Sequence, residues 1–268
     1  MKQFFSKIHQ KLQYVFKDSK FGQWWIKWHL QFLALAGLMY GFKATLYFII
    51  AYIPCNYVYF GNPVTGVYAM EIDNMIPFVS YFYFFYILYY VVPEIFLWIL
   101  SFYDRKKMVT IVLATMVTTL LACICFLIQQ VKMIRPEAEM AQYADTSSIH
   151  NLDTLFRWGV NWQYGADETA LNCFPSLHAT VGMALAVVGL YTGKDEKHFP
   201  IGLRIFCALF GLGIVMSTFF VKQHYFIDAV AGAGLMAILY FVFKLFIIPS
   251  YLARKERKLQ SETPSENQ

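Results

Sequence analysis

The residues best suited to chemistry lie in Lys222-Gln223-His224-Tyr225-Phe226-Ile227-Asp228, where an imidazole and a carboxylate stand four positions apart at the mouth of an otherwise apolar segment. On a helix, positions i and i+4 share a face, so Asp228 is placed to accept a hydrogen bond from one ring nitrogen of His224 and leave the other free. A histidine held in that way serves as a nucleophile or a base. Two other stretches carry groups that can meet it: Arg135-Pro136 after the third apolar run, and Phe174-Pro175-Ser176-Leu177-His178 at the start of the fourth. Pro175 is tolerated in a first helical turn, where the following backbone N–H groups have no partner within the helix. Such a helix start attracts a phosphate, with the Ser176 hydroxyl and the His178 ring beside it. Alone, Pro-Ser-x-His is weak, because a histidine at a helix start is more often a cap or an interfacial residue. The joint pattern is stronger, since charged and imidazole groups gathered at membrane helix ends mark function.

The elements that must position these groups are set by a bilayer. The chain has 268 residues, 58% of them hydrophobic and only 15% charged, with a mean hydropathy of +0.46. This is too apolar for a soluble domain of that length and predicts an integral membrane protein. Apolar runs of about 20 residues, the length of a spanning helix, fall near 30–53, 77–102, 108–130, 174–192, 200–221 and 225–249. The expected fold class is all-α, six transmembrane helices with an amphipathic N-terminal helix. Residues 1–28 interleave Lys2, Lys7, Lys11, Lys17, Lys20 and Lys27 with Phe4, Phe5, Ile8, Leu12, Val15 and Phe16 and end in Trp24, Trp25 and Trp28. That is the pattern of a helix lying on an anionic membrane surface. The following apolar run is too long for a cleaved signal, so the first span is expected to be retained. Residues 29–250 form the six-span domain, with the motifs in 131–228, and residues 251–268 a polar basic tail.

Charge gives the threading. Arg105, Lys106, Lys107, Lys194, Lys197, Arg254, Lys255, Arg257 and Lys258 all fall on the side of the N-terminus, which predicts cytoplasmic termini in a cell membrane and an extracytoplasmic site. The opposite side holds Lys132, Arg135, Arg157 and Lys222, and these are the cations suspected of chemistry. The basic residues cluster at span ends, so the pI near 8.8 does not indicate nucleic acid. Cys55, Cys123, Cys125, Cys173 and Cys207 are scattered without metal-ligand spacing, and neither metal nor cofactor is expected. Lys43 and Glu94 lie inside spans. Either they pair, or Lys43 snorkels and Glu94, beside Pro93, is protonated or marks a kink. The long loop from Val131 to Cys173 combines an aromatic interfacial stretch, Arg157 to Tyr164, with Glu137, Glu139, Asp145, Asp153, Asp167 and Glu168, which read as a solvated lid.

Taken together, the motifs resemble the phosphatidic acid phosphatase type 2 superfamily, which also includes bacterial acid phosphatases and vanadium haloperoxidases. Its three-part pattern is met by Arg135-Pro136, by Pro175-Ser176-Leu177-His178, and by Ser217-Thr218 followed at the family spacing by His224 and Asp228. The family's first-motif lysine falls on Ile128, with Lys132 nearby; Leu177 replaces a glycine; Thr218 replaces an arginine. Leu177 and Gln223-His224-Tyr225 are similar to the inositol-phosphorylceramide-synthase-like branch.

The resemblance implies that His224, held by Asp228, attacks phosphorus and forms a phosphohistidine while His178 serves as acid and then base. It implies phosphate binding by Arg135, Ser176 and Ser217, with Lys222 or Lys132 as candidates for the missing cation. For Lys222 the competing reading is a headgroup anchor. The implied substrate is a lipid phosphate held in the bilayer, with water as acceptor in a phosphatase. The alternatives are a lipid phosphotransferase, a polyprenyl pyrophosphate phosphatase, and a catalytically silent lipid-binding or transport member.

Overall fold

The computed structural model describes residues 64–66, 68–167, 169, 171–190, 199–250 and 253–254. The predicted interfacial segment 1–28, the first span with Lys43, and most of the 251–268 tail lie outside the described residues.

Among those residues the chain is helical apart from one short parallel ladder. Strand β1 (Val64–Thr65) pairs with β2 (Val131–Lys132), in the register Val64 to Val131 and Thr65 to Lys132. The helices are α1 (Glu71–Met75), α2 (Tyr83–Leu88), α3 (Val92–Tyr103), α4 (Arg105–Ile128), α5 (Glu137–Met140), α6 (Leu152–Ala166), α7 (Leu177–Gly189), α8 (Ile201–Phe220) and α9 (Phe226–Val242). Lys106–Ile128, Ile201–Phe220 and Phe226–Ser250 are long and apolar enough to cross a membrane. A fourth span results if Ser80–Leu88 and Val92–Tyr103 are joined.

Within the expected span at 77–102 that pair is bent, its two halves meeting at 47° beside Pro93, where a kink is one of the two readings of the sequence. Pro93 sits in the first turn of α3. It has no N–H to bond back toward α2, so the helical ladder cannot run through it and α3 starts afresh with the proline in its first turn. The fourth predicted span, 174–192, is also shorter as a helix. Residues 171–173 are extended, with Val131 N–H donating to Leu171 O at 3.2 Å and a parallel bridge joining Val131 to Asn172.

Helix α7 is the central element, with Thr180, Val181, Gly182 and the run Ala184 to Val188 all buried. Its neighbours approach closely because small residues line the seams. A Cβ on Gly182 would stand 2.8 Å from the Gly211 carbonyl of α8, and one on Gly232 of α9 would overlap the Ser176 carbonyl oxygen. At the far end of α7 the carbonyls of Val188 (3.4 Å) and Leu190 accept from the buried Lys107 ammonium. Lys107 thus caps a helix C-terminus rather than anchoring in headgroups.

The long loop is ordered over its described residues. Asn151 caps α6 by accepting from Thr154 N–H at 3.0 Å. Val160 and Tyr164 pack with Tyr83, Tyr86, Met140 and Val221, while Leu152, Leu155 and Trp162 remain exposed. The acidic residues are not a uniform solvated lid, which corrects that expectation. Asp153 and Glu139 pair with Arg157 at 2.8 and 3.2 Å, and Asp167 pairs with Arg135 at 2.8 Å.

Candidate active site

Helix α8 ends in a turn that collects its backbone donors on one acceptor: Gln223 and His224 N–H both donate to Thr218 O at 3.0 Å. Lys222 occupies this turn at φ +52°, a left-handed conformation that costs a lysine roughly 1–2 kcal/mol. The tether at its other end opposes that cost, since Nζ donates to the carbonyls of Asp73 (2.9 Å) and Ile76 (2.5 Å). Burial draws the Lys222 pKa down, with the charge of Asp73 acting against the shift. The ammonium predicted as a phosphate ligand is therefore placed on backbone carbonyls of the 73–76 segment.

His224 precedes its helix: α9 begins at Phe226, with Tyr225 as N-cap. The shared helical face expected for His224 and Asp228 does not exist, yet the two side chains still meet across the turn that leads into α9. Nδ1 of His224 lies 2.9 Å from Cys173 O and 3.7 Å from Asp228 Oδ2. A carbonyl can only accept, so Nδ1 carries a hydrogen, and in the neutral ring the lone pair is then on Nε2. The orienting group is thus a main-chain carbonyl. Asp228 Oδ2 accepts instead from Tyr225 N–H at 3.0 Å, and it stands within ion-pair reach once the ring gains charge.

His178 projects from the first turn of α7 between two phenol rings. Its centroid is 4.3 Å from Tyr86, nearly parallel at 21°, and 4.1 Å from Tyr89. The His224 ring lies 5.8 Å away. Ser176 is fully buried as the α7 N-cap, with Oγ accepting from Ala179 N–H at 3.2 Å and its own N–H donating to Asp228 O at 3.0 Å. That last bond joins the second and third motifs directly.

Arg135 reaches the same place from the loop. The strand before it is pinned by Ile134 N–H donating to the Tyr225 hydroxyl at 3.1 Å. Its guanidinium donates through Nη1 to Asp167 O (2.6 Å) and through Nη2 to Asp167 Oδ2 (2.8 Å) and Gln223 Oε1 (2.6 Å). It also lies over the Tyr164 ring at 5.0 Å. Burial works against the charged form, but Asp167, Cys173 and Tyr86 outweigh it and the Arg135 pKa is raised. Ser217 and Thr218 turn their hydroxyls into their own helix, donating to Ile214 O (2.6 Å) and Val215 O (2.7 Å). Lys132 is half-buried in β2, where its carbonyl accepts from Gly66 N–H at 3.2 Å. Ile128, at the family's lysine position, is 77% exposed.

Thus Arg135, Ser176, His178, His224 and Asp228 converge, while the Ser217 hydroxyl and the Lys222 ammonium are engaged elsewhere. Cys173, His224 and Asp228 have donor atoms within 4.8 Å of one another, the spacing of a possible metal group. Their chemistry suits a proton-holding network better: burial raises the Cys173 pKa, Nδ1 bears a hydrogen, and Oδ2 is occupied by Tyr225 N–H. Sequence reasoning missed Asp167, Gln223, Tyr86, Tyr89 and the Cys173 carbonyl. Gln223 stood beside the histidine and was available to it. Tyr86 and Tyr89 sit three apart in an apolar run, indistinguishable there from core residues, and a main-chain carbonyl leaves no trace in residue types.

Residues 71–242, more than half of the chain, match the PAP2 superfamily. No curated protein and no solved structure matches the chain. With its apolar helices and a phosphoryl-transfer type of site spread over the matched region, this membrane protein belongs to the PAP2 superfamily.

Proposed function

We propose that the chain is a membrane-embedded lipid phosphate phosphatase that hydrolyses a phosphomonoester at the extracytoplasmic face through a phosphohistidine. The observation that carries this reading is the hydrogen bond from His224 Nδ1 to Cys173 O, which assigns the neutral ring's lone pair to Nε2, with a second histidine ring 5.8 Å away.

Nε2 attacks phosphorus in line, the bond from phosphorus to the lipid alkoxide breaks, and His178 gives its proton to the departing oxygen. As the ring gains charge, Asp228 stabilises it. Water then attacks the phosphohistidine while His178 takes its proton, and the nitrogen–phosphorus bond returns its electron pair to Nε2. Arg135, with the backbone N–H groups at the α7 start, stabilises the equatorial oxygens.

A second reading, transfer to a lipid hydroxyl, is favoured by the 6% exposure of His224, which limits access of bulk water to the intermediate. One experiment addresses both: rapid quenching of the purified protein with labelled lipid phosphates, with and without acceptor lipid. Acid-labile phosphate on the protein is expected, absent in His224→Ala together with turnover. New labelled lipid rather than free phosphate would select the transferase reading, and full activity in His224→Ala excludes the mechanism.

A further inference from the structure

Two buried donors at the site, Nε of Arg135 and Nε2 of Gln223, carry no hydrogen bond among the described residues. Native structures keep few buried donors unsatisfied, and at a site built around a histidine pair such donors point to a ligand that brings acceptors. Gln223 is 2% exposed, and its amide cannot be turned around. Arg135 Nη2 donates to Oε1 at 2.6 Å, and because a guanidinium only donates, the oxygen must face it and the NH2 must face away. The other unpartnered atoms of these residues' neighbours, Oδ1 of Asp167 and of Asp228, are acceptors and attract no anion. Nor does the rest of the loop supply a donor: Lys222 is tied to Asp73 and Ile76, and the Thr218 hydroxyl to Val215.

We propose that Gln223 is a catalytic residue whose Nε2 amide, beside Arg135 Nε, donates to the equatorial oxygens of the phosphoryl group as the adjacent His224 attacks. This rests on the phosphoryl-transfer reading above. Arg135 thereby acts twice, as a phosphate ligand and as the group that fixes the amide's orientation. The donor is neutral, so it stabilises charge that develops on the oxygens without adding a cation to the site.

The test uses the full chain in detergent with Gln223→Glu and Gln223→Ala. Glutamate keeps an acceptor for Arg135 and the side-chain size but replaces the donor by a charged oxygen. Alanine removes the donor without adding charge, so the loss must appear in both variants. In each, kcat/KM on a lipid phosphate should fall about 100- to 1000-fold, the scale of losing one oxyanion donor. Affinity for inorganic phosphate should weaken about 10- to 100-fold, the loss of one charge-assisted hydrogen bond, with the thermal unfolding midpoint of the glutamate variant unchanged. A Gln223→Glu or Gln223→Ala protein with wild-type phosphate affinity and rate overturns the proposal, as does a rate loss that only follows the unfolded fraction. If Gln223→Ala does not fold, the glutamate variant can still overturn it. A wild-type protein that neither binds phosphate nor turns over lipid phosphates overturns the phosphoryl reading itself, and the role of Gln223 with it.

Discussion

Arg135 is a buried cation whose attachment to Asp167 can be cut at one end. Its side chain is 1% exposed and that of Asp167 16%, so solvent screening is slight, and breaking such a pair costs about 3–5 kcal/mol. Asp167→Ala should therefore destabilise the protein on that scale in chemical unfolding, and Asp167→Ala with Arg135→Met together should cost less than the sum of the two. Additive losses would show that the pair is not coupled. Arg135 itself imposes no pH limit in the ordinary range. A raised folded pKa contributes stability that is fully present below the unfolded value and is lost only as pH rises through the folded one. Residue type and spacing singled out His178, His224 and Ser176, which the fold brings to one place. They named Asp228 as the partner of His224 but could not show the nearer one, the Cys173 carbonyl. The helix begins two residues after His224, and the turn before it aims the ring at the main chain of another segment. Asp167 stayed hidden because an acidic loop residue looks the same whether it meets water or a guanidinium 32 positions away.

Between elements, the decisive contact is that of α9 with the start of α7. Gly232 leaves room for the Ser176 carbonyl, and Thr180 Oγ1 donates to Gly232 O at 3.2 Å across the same seam. Gly232→Val should force the helices apart, destabilise the fold by roughly 1–3 kcal/mol, and cost activity even in the folded fraction, because Ser176 and Asp228 are bonded to each other there. Thermal unfolding and the specific activity of the folded protein measure the two effects, and an unaltered rate would show that the seam does not position the site. The turn carrying His224 is held from a different element: Asp73 Oδ1 accepts from Phe226 N–H at 2.7 Å, and its carbonyl accepts from Lys222. Hydropathy located the long helices α4, α8 and α9, since each is an apolar run of spanning length. The 47° bend is signalled by Pro93 and not by hydropathy, which also could not see that the segment ahead of α7 is drawn into a ladder with β2. Hydropathy registers transfer to lipid, and extended apolar backbone scores as well as helical backbone.

Over the whole molecule, the proposed threading places the long loop outside and the α7 to α8 connection inside. A cysteine introduced at Ser147, which is exposed, should react with an impermeant reagent from outside intact cells, and one near Lys194 should not. Reversed labelling would move the site to the cytoplasmic face. The exposed Leu152, Leu155 and Trp162 of α6 fit a helix resting in the interface on the side of the site. Helix α7 has 13 residues, which at 1.5 Å per residue is about 20 Å, against a hydrocarbon layer of about 30 Å. Set upright with its Gly189 end at one interface, it stops about 10 Å short of the other. Ser176 and His178, at that short end, then lie beneath the level of the glycerol backbones unless the bilayer thins around them. A water-soluble phosphate ester would have to descend from solution to reach such a depth, whereas a lipid already in the leaflet needs only to diffuse sideways until its headgroup tips inward.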